Sequence, residues 1–213
     1  MNTDQTVNAW YFSWPDHRIE YRSRRKAALG VTHHYRGVPR VGCSGLHAGT
    51  TLRAALDDTR QPILWRVELS GRIDTSGEFL AAQRRRYIGG GVDISAALCV
   101  WARQCVQGLI KRGPPDAAAR PIMKWLKGNG SEAHRAAVLE YLSARKRQKI
   151  PGLLGDLENL AYQTAIARDM RGMELVSRNC FVAEQCIRMG GLSRAETNAL
   201  LDRVVMEIME GMS

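Results

Sequence analysis

At Gly89-Gly-Gly91 the hydrophobic pattern of this 213-residue chain changes period, and that change sets the fold class. Before the glycines, apolar residues recur at every second position. Ile63, Trp65, Val67 and Leu69 fall on one side of an extended strand, with Leu64, Arg66 and Glu68 on the other. Two shorter segments, Trp10-Tyr-Phe-Ser-Trp14 and Gly30-Val-Thr-His-His-Tyr35, are aromatic and β-branched, as strands prefer. Residues 50–59 interrupt them with a short helix that turns Leu52, Ala55 and Leu56 inward. A second strand begins at Arg72-Ile73 and leads to Gly77, and a further segment is centred on residues 81–86.

After the glycines the spacing is helical. Ala97, Leu98, Trp101, Cys105, Leu109 and Ile110 mark a helix over residues 94–110, capped by Asp93 and stopped at Gly113-Pro-Pro115. A short helix follows around residues 121–126. Ser131 caps the next over 132–149, which is expected to bury Ala136, Ala137, Leu139, Tyr141 and Leu142. Helices near 153–170 and 173–189 precede a last one, opened by Ser193-Arg-Ala-Glu196 with capping-box spacing. The chain is therefore expected to be α+β: a small β-rich N-terminal domain over residues 1–90 and an α-helical bundle over 91–213. Gly89-Gly-Gly91 reads as a flexible hinge between them, and Pro151-Gly152 as a second joint within the bundle.

The net charge of +10 is unevenly spread. Up to Lys149 there are 25 Lys and Arg against 12 Asp and Glu; beyond it there are 6 against 9. The basic residues gather at Arg24, Arg25 and Lys26, at Arg84, Arg85 and Arg86, and at Lys146, Arg147 and Lys149. Clusters like these attract phosphates or an acidic protein face, because neutralised phosphates release their counterions. Trp10, Tyr11, Trp14, Tyr21, Tyr35 and Tyr87 interleave with them, which suits either core packing or the stacking of single-stranded bases. Residues 122–144 have the outline of a helix-turn-helix, but the Gly128-Asn-Gly130 turn is too glycine-rich to support it.

Five cysteines at unpaired spacings match no metal knuckle and read as reduced thiols. No segment approaches the roughly 20 apolar residues that span a bilayer, and no secretory leader opens the chain, so a cytoplasmic location without membrane contact is expected. No motif calls for a cofactor or a metal. Gly89-Gly-Gly91 lacks the Lys-Ser/Thr of a phosphate loop, and the adjacent His33 and His34 would point to opposite faces of a strand.

The order of an aromatic opening strand, Cys43-Ser44-Gly45-Leu46-His47-Ala48, Val67-Glu-Leu-Ser-Gly71, Arg84-Arg-Arg86 and Ala102-Arg-Gln-Cys105 resembles a domain of unknown function carried by many phage and actinobacterial proteins. The resemblance spans roughly residues 9–145 on the order of these landmarks. It implies the α+β division, a phage or prophage origin and a bacterial host cytoplasm, and it carries no activity. The chain departs from the family's alanine-rich tail after Lys149. More loosely, His47 on a strand followed by a helix and Glu68 on the next strand resembles the outline of a small ADP-ribosyltransferase. The paired Gln/Glu-x-Glu of many such enzymes is absent.

Three functions are therefore open. One is an accessory binding protein of phage type, whose basic clusters engage nucleic acid or a host nucleoprotein, with inhibition of a host defence complex as one use. Another is an enzyme with a His47 and Glu68 pocket. The third is an assembly protein that forms a homodimer through Leu201, Val204, Val205 and Ile208 on its apolar last helix.

Overall fold

The computed structural model describes residues 6–20, 23–110, 120–128, 131–145 and 153–210. They form an N-terminal β-sheet unit followed by a run of α-helices, an α+β fold, and the chain divides into two compact units, Met1–Ile94 and Ser95–Ser213.

The first unit is built on β5 (Phe79–Asp93). One edge of β5 pairs with β4 (Ile63–Ser76) along its whole length; the other pairs with β3 (Leu46–Gly49) near its start and with β2 (Thr32–His34) further on. The remaining strand, β1 (Val7–Ser13), pairs with β4 and, through Trp10 opposite Gly49, with β3. All pairings are antiparallel, and the cycle β1, β4, β5, β3 closes into a small barrel with β2 added alongside. Closure satisfies strand edges that an open sheet of this size would leave to solvent.

The alternation read from the sequence is obeyed in β4. Ile63, Trp65, Val67 and Leu69 are buried in one cluster with Ala9, Tyr11, Ala82 and Tyr87, closed over by Ile19 and Ala27 from the segment between β1 and β2. On the opposite face only the first position is apolar and buried: Leu64 is covered, Arg66 is exposed and Glu68 is half-buried. A helix, α1 (Leu52–Thr59), packs on β1 and β3. Thr51 caps it by accepting a hydrogen bond from Ala54 N, and Leu52, Ala55 and Leu56 are buried. It lies so close that a Cβ on Gly49 would sit 2.4 Å from Ala55 N.

Gly89-Gly-Gly91 is not a hinge. The strand continues through it, with Gly89 opposite Arg66 and Gly90 opposite Trp65, while Ile88 and Gly91 are extra residues that bulge β5. Gly90 has φ +98°, and a Cβ there would meet Leu64 O at 2.5 Å; Gly91 has φ +82° and the Trp65 ring at 2.9 Å. The glycines bend the strand around a tryptophan, which is a packing demand.

In the second unit, α2 (Ser95–Ile110) is the central helix, packed against α3 (Arg120–Lys127), α5 (Leu153–Ala167), α6 (Gly172–Arg188) and α7 (Arg194–Glu210). The remaining helix, α4 (Glu132–Arg145), lies on α3 and α5. Trp101 donates to Thr197 O at 2.9 Å and Trp125 to Thr164 Oγ1 at 2.9 Å, so both buried indoles are satisfied. The capping box is formed in full: Glu196 N donates to Ser193 Oγ, and Ser193 N to the Glu196 carboxylate. In α4 the buried stripe is Val138 and Leu142; Ala136 and Ala137 are exposed, because the partly covered Arg135 takes the intervening turn to bridge Glu132 and Asp169. The joint read at Pro151-Gly152 lies outside the described residues.

Gly90→Ala should cost about 2–4 kcal/mol, since it adds a backbone clash to a strained φ. Gly77→Ala, at φ +59° in the β4–β5 turn with nothing within 4 Å, should cost only about 1 kcal/mol. Urea unfolding of the two variants checks the difference, and equal losses would return Gly90 to the role of a hinge.

Candidate functional site

Strand geometry separates the three adjacent arginines of β5. Arg84 pairs with His34 and Ser70, and Arg86 with Thr32 and Glu68, on the outer face; Arg85 pairs with His33 and Leu69 on the inner one. Arg85 is 3% exposed and therefore leaves the surface cluster to which its sequence position assigned it. Its guanidinium lies 3.5 Å from the centroid of the Tyr11 ring. It donates to His47 O at 2.6 Å and to Tyr87 Oη at 3.2 Å. No carboxylate forms an ion pair with it among the described residues, so aromatic faces and oxygen dipoles hold the charge.

This sets the surroundings of its neighbours. Tyr87 accepts from Arg85 and shares a hydrogen bond with His33 Nδ1, 3.1 Å away. His33 is neutral at neutral pH. Burial, assisted by Arg85, lowers its pKa to about 4. Burial likewise raises Tyr11 to about 12 against the opposing pull of Arg85, and the Tyr11 hydroxyl donates to Ile19 O at 2.7 Å. His34, one residue on, is exposed. The inner cluster is thus a set of mutually satisfied groups.

The outer face of β1, β4, β5 and β2 is different. Arg66 lies 4.6 Å from the centroid of the half-buried Trp10 ring, a cation stacked on an indole. Trp10 and Arg66 face each other across the β1–β4 ladder, and Glu68 lies opposite both Asn8 and Arg86. Two strand positions along are Arg84 and His34. An indole, three arginines and one carboxylate therefore share this sheet face, and the bulged Ile88 is exposed beside them.

The other predicted residues are placed elsewhere. Arg24, Arg25 and Lys26 are exposed on the segment that covers the barrel interior, with Arg25 ion-paired to Glu20 at 3.4 Å; no strand pairing joins them to Arg84 and Arg86. Lys146, Arg147 and Lys149 lie outside the described residues. His47 and Glu68 are not brought together: they are in β3 and β4 with β1 between them, and His47 Nε2 is 3.3 Å from Arg40 O. Cys43 is exposed. Leu201, Val204 and Val205 are buried within the helical unit, and Ile208 is half-buried, so the apolar stripe of α7 is spent on α2 and does not offer the dimer face expected of it. Trp10 and Arg66 were missed as a pair because they are 56 positions apart.

Among the described residues, no group of three or more His, Cys, Asp or Glu could hold a metal ion, and no helix is long and apolar enough to cross a membrane. No family model, curated protein or solved structure matches the chain.

His33 binds fewer protons folded than unfolded between pH 6.5 and about 4. Its contribution to stability is therefore complete above pH 6.5 and is lost as the pH falls through that window. The urea midpoint of the protein should drop more steeply there than that of His33→Gln; parallel curves would show His33 protonated in the fold.

Proposed function

We propose that the N-terminal unit binds single-stranded nucleic acid on the outer face of β1, β4, β5 and β2. The observation that carries this reading is the Trp10–Arg66 stack, set on an exposed sheet face in register with Arg84 and Arg86. A single-strand platform needs aromatic or guanidinium planes for base stacking and cations for the phosphates, and sheet surfaces supply both on a rigid base. The uneven charge of the chain supports the same partner, because long-range attraction to a polyanion needs net positive charge near the contact surface. Glu68 in the same row limits the affinity and favours a strand that can place its phosphates beside Arg84 and Arg86 rather than at the centre. The resemblance to a phage domain adds a setting, a bacterial cytoplasm with viral or host nucleic acid.

Binding of labelled single-stranded RNA, single-stranded DNA and duplex DNA across a salt series tests the proposal. Single strands should bind more tightly than duplex. Arg84→Ala with Arg86→Ala should weaken binding and reduce the slope of log K against log salt by about 1.4, at about 0.7 per phosphate contact. Trp10→Ala should lose about 1–3 kcal/mol of single-strand affinity with little change of slope. Absence of binding at low salt, or indifference to both changes, would remove the proposal. Arg85 is unsuitable as a probe, because its loss should unfold the barrel.

A further inference from the structure

The helical unit carries a half-open cavity of about 360 Å³ lined by the first residues of α2, Ser95 and Ala96, by Cys99 and Val100 on its next turn, and by Arg103, Trp125, Arg168, Arg171 and Leu175. Three of these residues are arginines and none is a carboxylate. Arg103 is 8% exposed, stacks 4.9 Å from the centroid of the Trp125 ring, and makes no hydrogen bond or ion pair among the described residues. Arg168 and Arg171 are exposed at the rim. The nearest acid in sequence, Asp169, is engaged by Arg135.

A cation so largely covered and without a facing anion is costly, and replacing it with an apolar side chain of similar volume often stabilises a protein. Nothing in the packing demands a charge here, since Trp125 already has its indole satisfied by Thr164 Oγ1. Arg85 in the barrel makes the contrast: it is as deeply buried, yet carbonyl, hydroxyl and ring partners surround it. Arg103 lines the cavity with no protein acceptor for its donors among the described residues. The start of α2 lines it too and brings the positive end of a 16-residue helix, which favours an anion. Burial and the neighbouring Arg168 also push the Arg103 pKa down from its ordinary value, as expected of a cation lacking its counter-charge.

From this arrangement we infer that the helical unit holds a ligand-binding site for a phosphate monoester, its phosphate on Arg103, Arg168 and Arg171 and its remainder against Ala96, Val100 and Leu175. Guanidinium forks match a phosphate dianion in geometry and charge. The volume lies at the small end of ligand cavities, which run from about 300 to 1,000 Å³, and so fits a compact ester of the size of a mononucleotide. The phosphate could belong to a free metabolite or to the 5′ end of an oligonucleotide.

The test is titration calorimetry of the full chain with a nucleoside 5′-monophosphate, the nucleoside and inorganic phosphate, and with an oligonucleotide carrying or lacking a 5′-phosphate. The monophosphate should bind at least tenfold more tightly than the nucleoside and than inorganic phosphate, and binding should persist in the Arg84→Ala, Arg86→Ala protein, which separates this site from the sheet face. A gain in oligonucleotide affinity on 5′-phosphorylation, larger than that of the mononucleotide, would assign the source to a strand end; no gain would assign it to a free metabolite. Arg103→Met should abolish monophosphate binding while raising Tm, and Arg168→Gln should weaken binding at least tenfold with Tm unchanged. A nucleoside that binds as well as its monophosphate, no binding at all, or Arg103→Met binding like the unaltered protein would each overturn the inference. So would a fall in Tm in Arg103→Met accompanied by full affinity in Arg168→Gln, since Arg103 would then be a packing residue.

Discussion

Arg85 is the constraint around which the barrel is arranged. Its charge lies where a barrel of this size would otherwise place an aliphatic side chain, and desolvating it costs several kcal/mol unless each face of the guanidinium is answered. The answers come from separate strands: the Tyr11 ring from β1, the His47 carbonyl from β3 and the Tyr87 hydroxyl from β5 itself. Through Tyr87 the constraint reaches β2, where His33 remains neutral. The aromatic cluster follows. Tyr87 lies 5.2 Å from Trp65, and Trp65 donates to Ser13 Oγ at 2.9 Å, so the rings that shield Arg85 also fill the centre of the barrel. Even the glycines of β5 serve this arrangement, since they let the strand pass against Trp65.

Alternation along a strand is what gives the surface its chemistry. Three consecutive arginines look like one patch of charge, yet a period of two sends the middle one inward and leaves its neighbours outside. The outer pair then gains partners of a different origin, Arg66 and Trp10 from two other strands, and the charges are spread over several strands beside an indole rather than gathered at one point. The exposed residues 24–26 add to the field around the unit without joining those charges.

The helical unit shows the same residue type under another set of conditions. Its helices are closed by well-matched interactions: the capping box at Ser193 and Glu196, the satisfied indoles of Trp101 and Trp125, and the burial of Leu201, Val204 and Val205 against α2. Within this bundle Arg103 is covered nearly as completely as Arg85, yet it meets the Trp125 ring and the cavity it lines in place of a ring of carbonyl and hydroxyl acceptors.

The sequence by itself determined where strands give way to helices, most helix positions, the capping box and the inward set Ile63, Trp65, Val67 and Leu69. These features depend on neighbours within a few residues, and periodicity, caps and turns are local. It also separated His33 from His34 correctly, because the face a strand residue takes is a local property once the strand is known. What it left to the tertiary structure was every matter of contact across distance. The closure of the barrel, the burial of Arg85, the pairing of Trp10 with Arg66, the separation of His47 from Glu68, the strand course of Gly89-Gly-Gly91 and the cavity around Arg103 all arise from chain segments tens of residues apart. A charge run in a sequence has no sign of inside or outside; only the folded neighbours supply the rings and carbonyls that let one arginine be buried and keep the next in water.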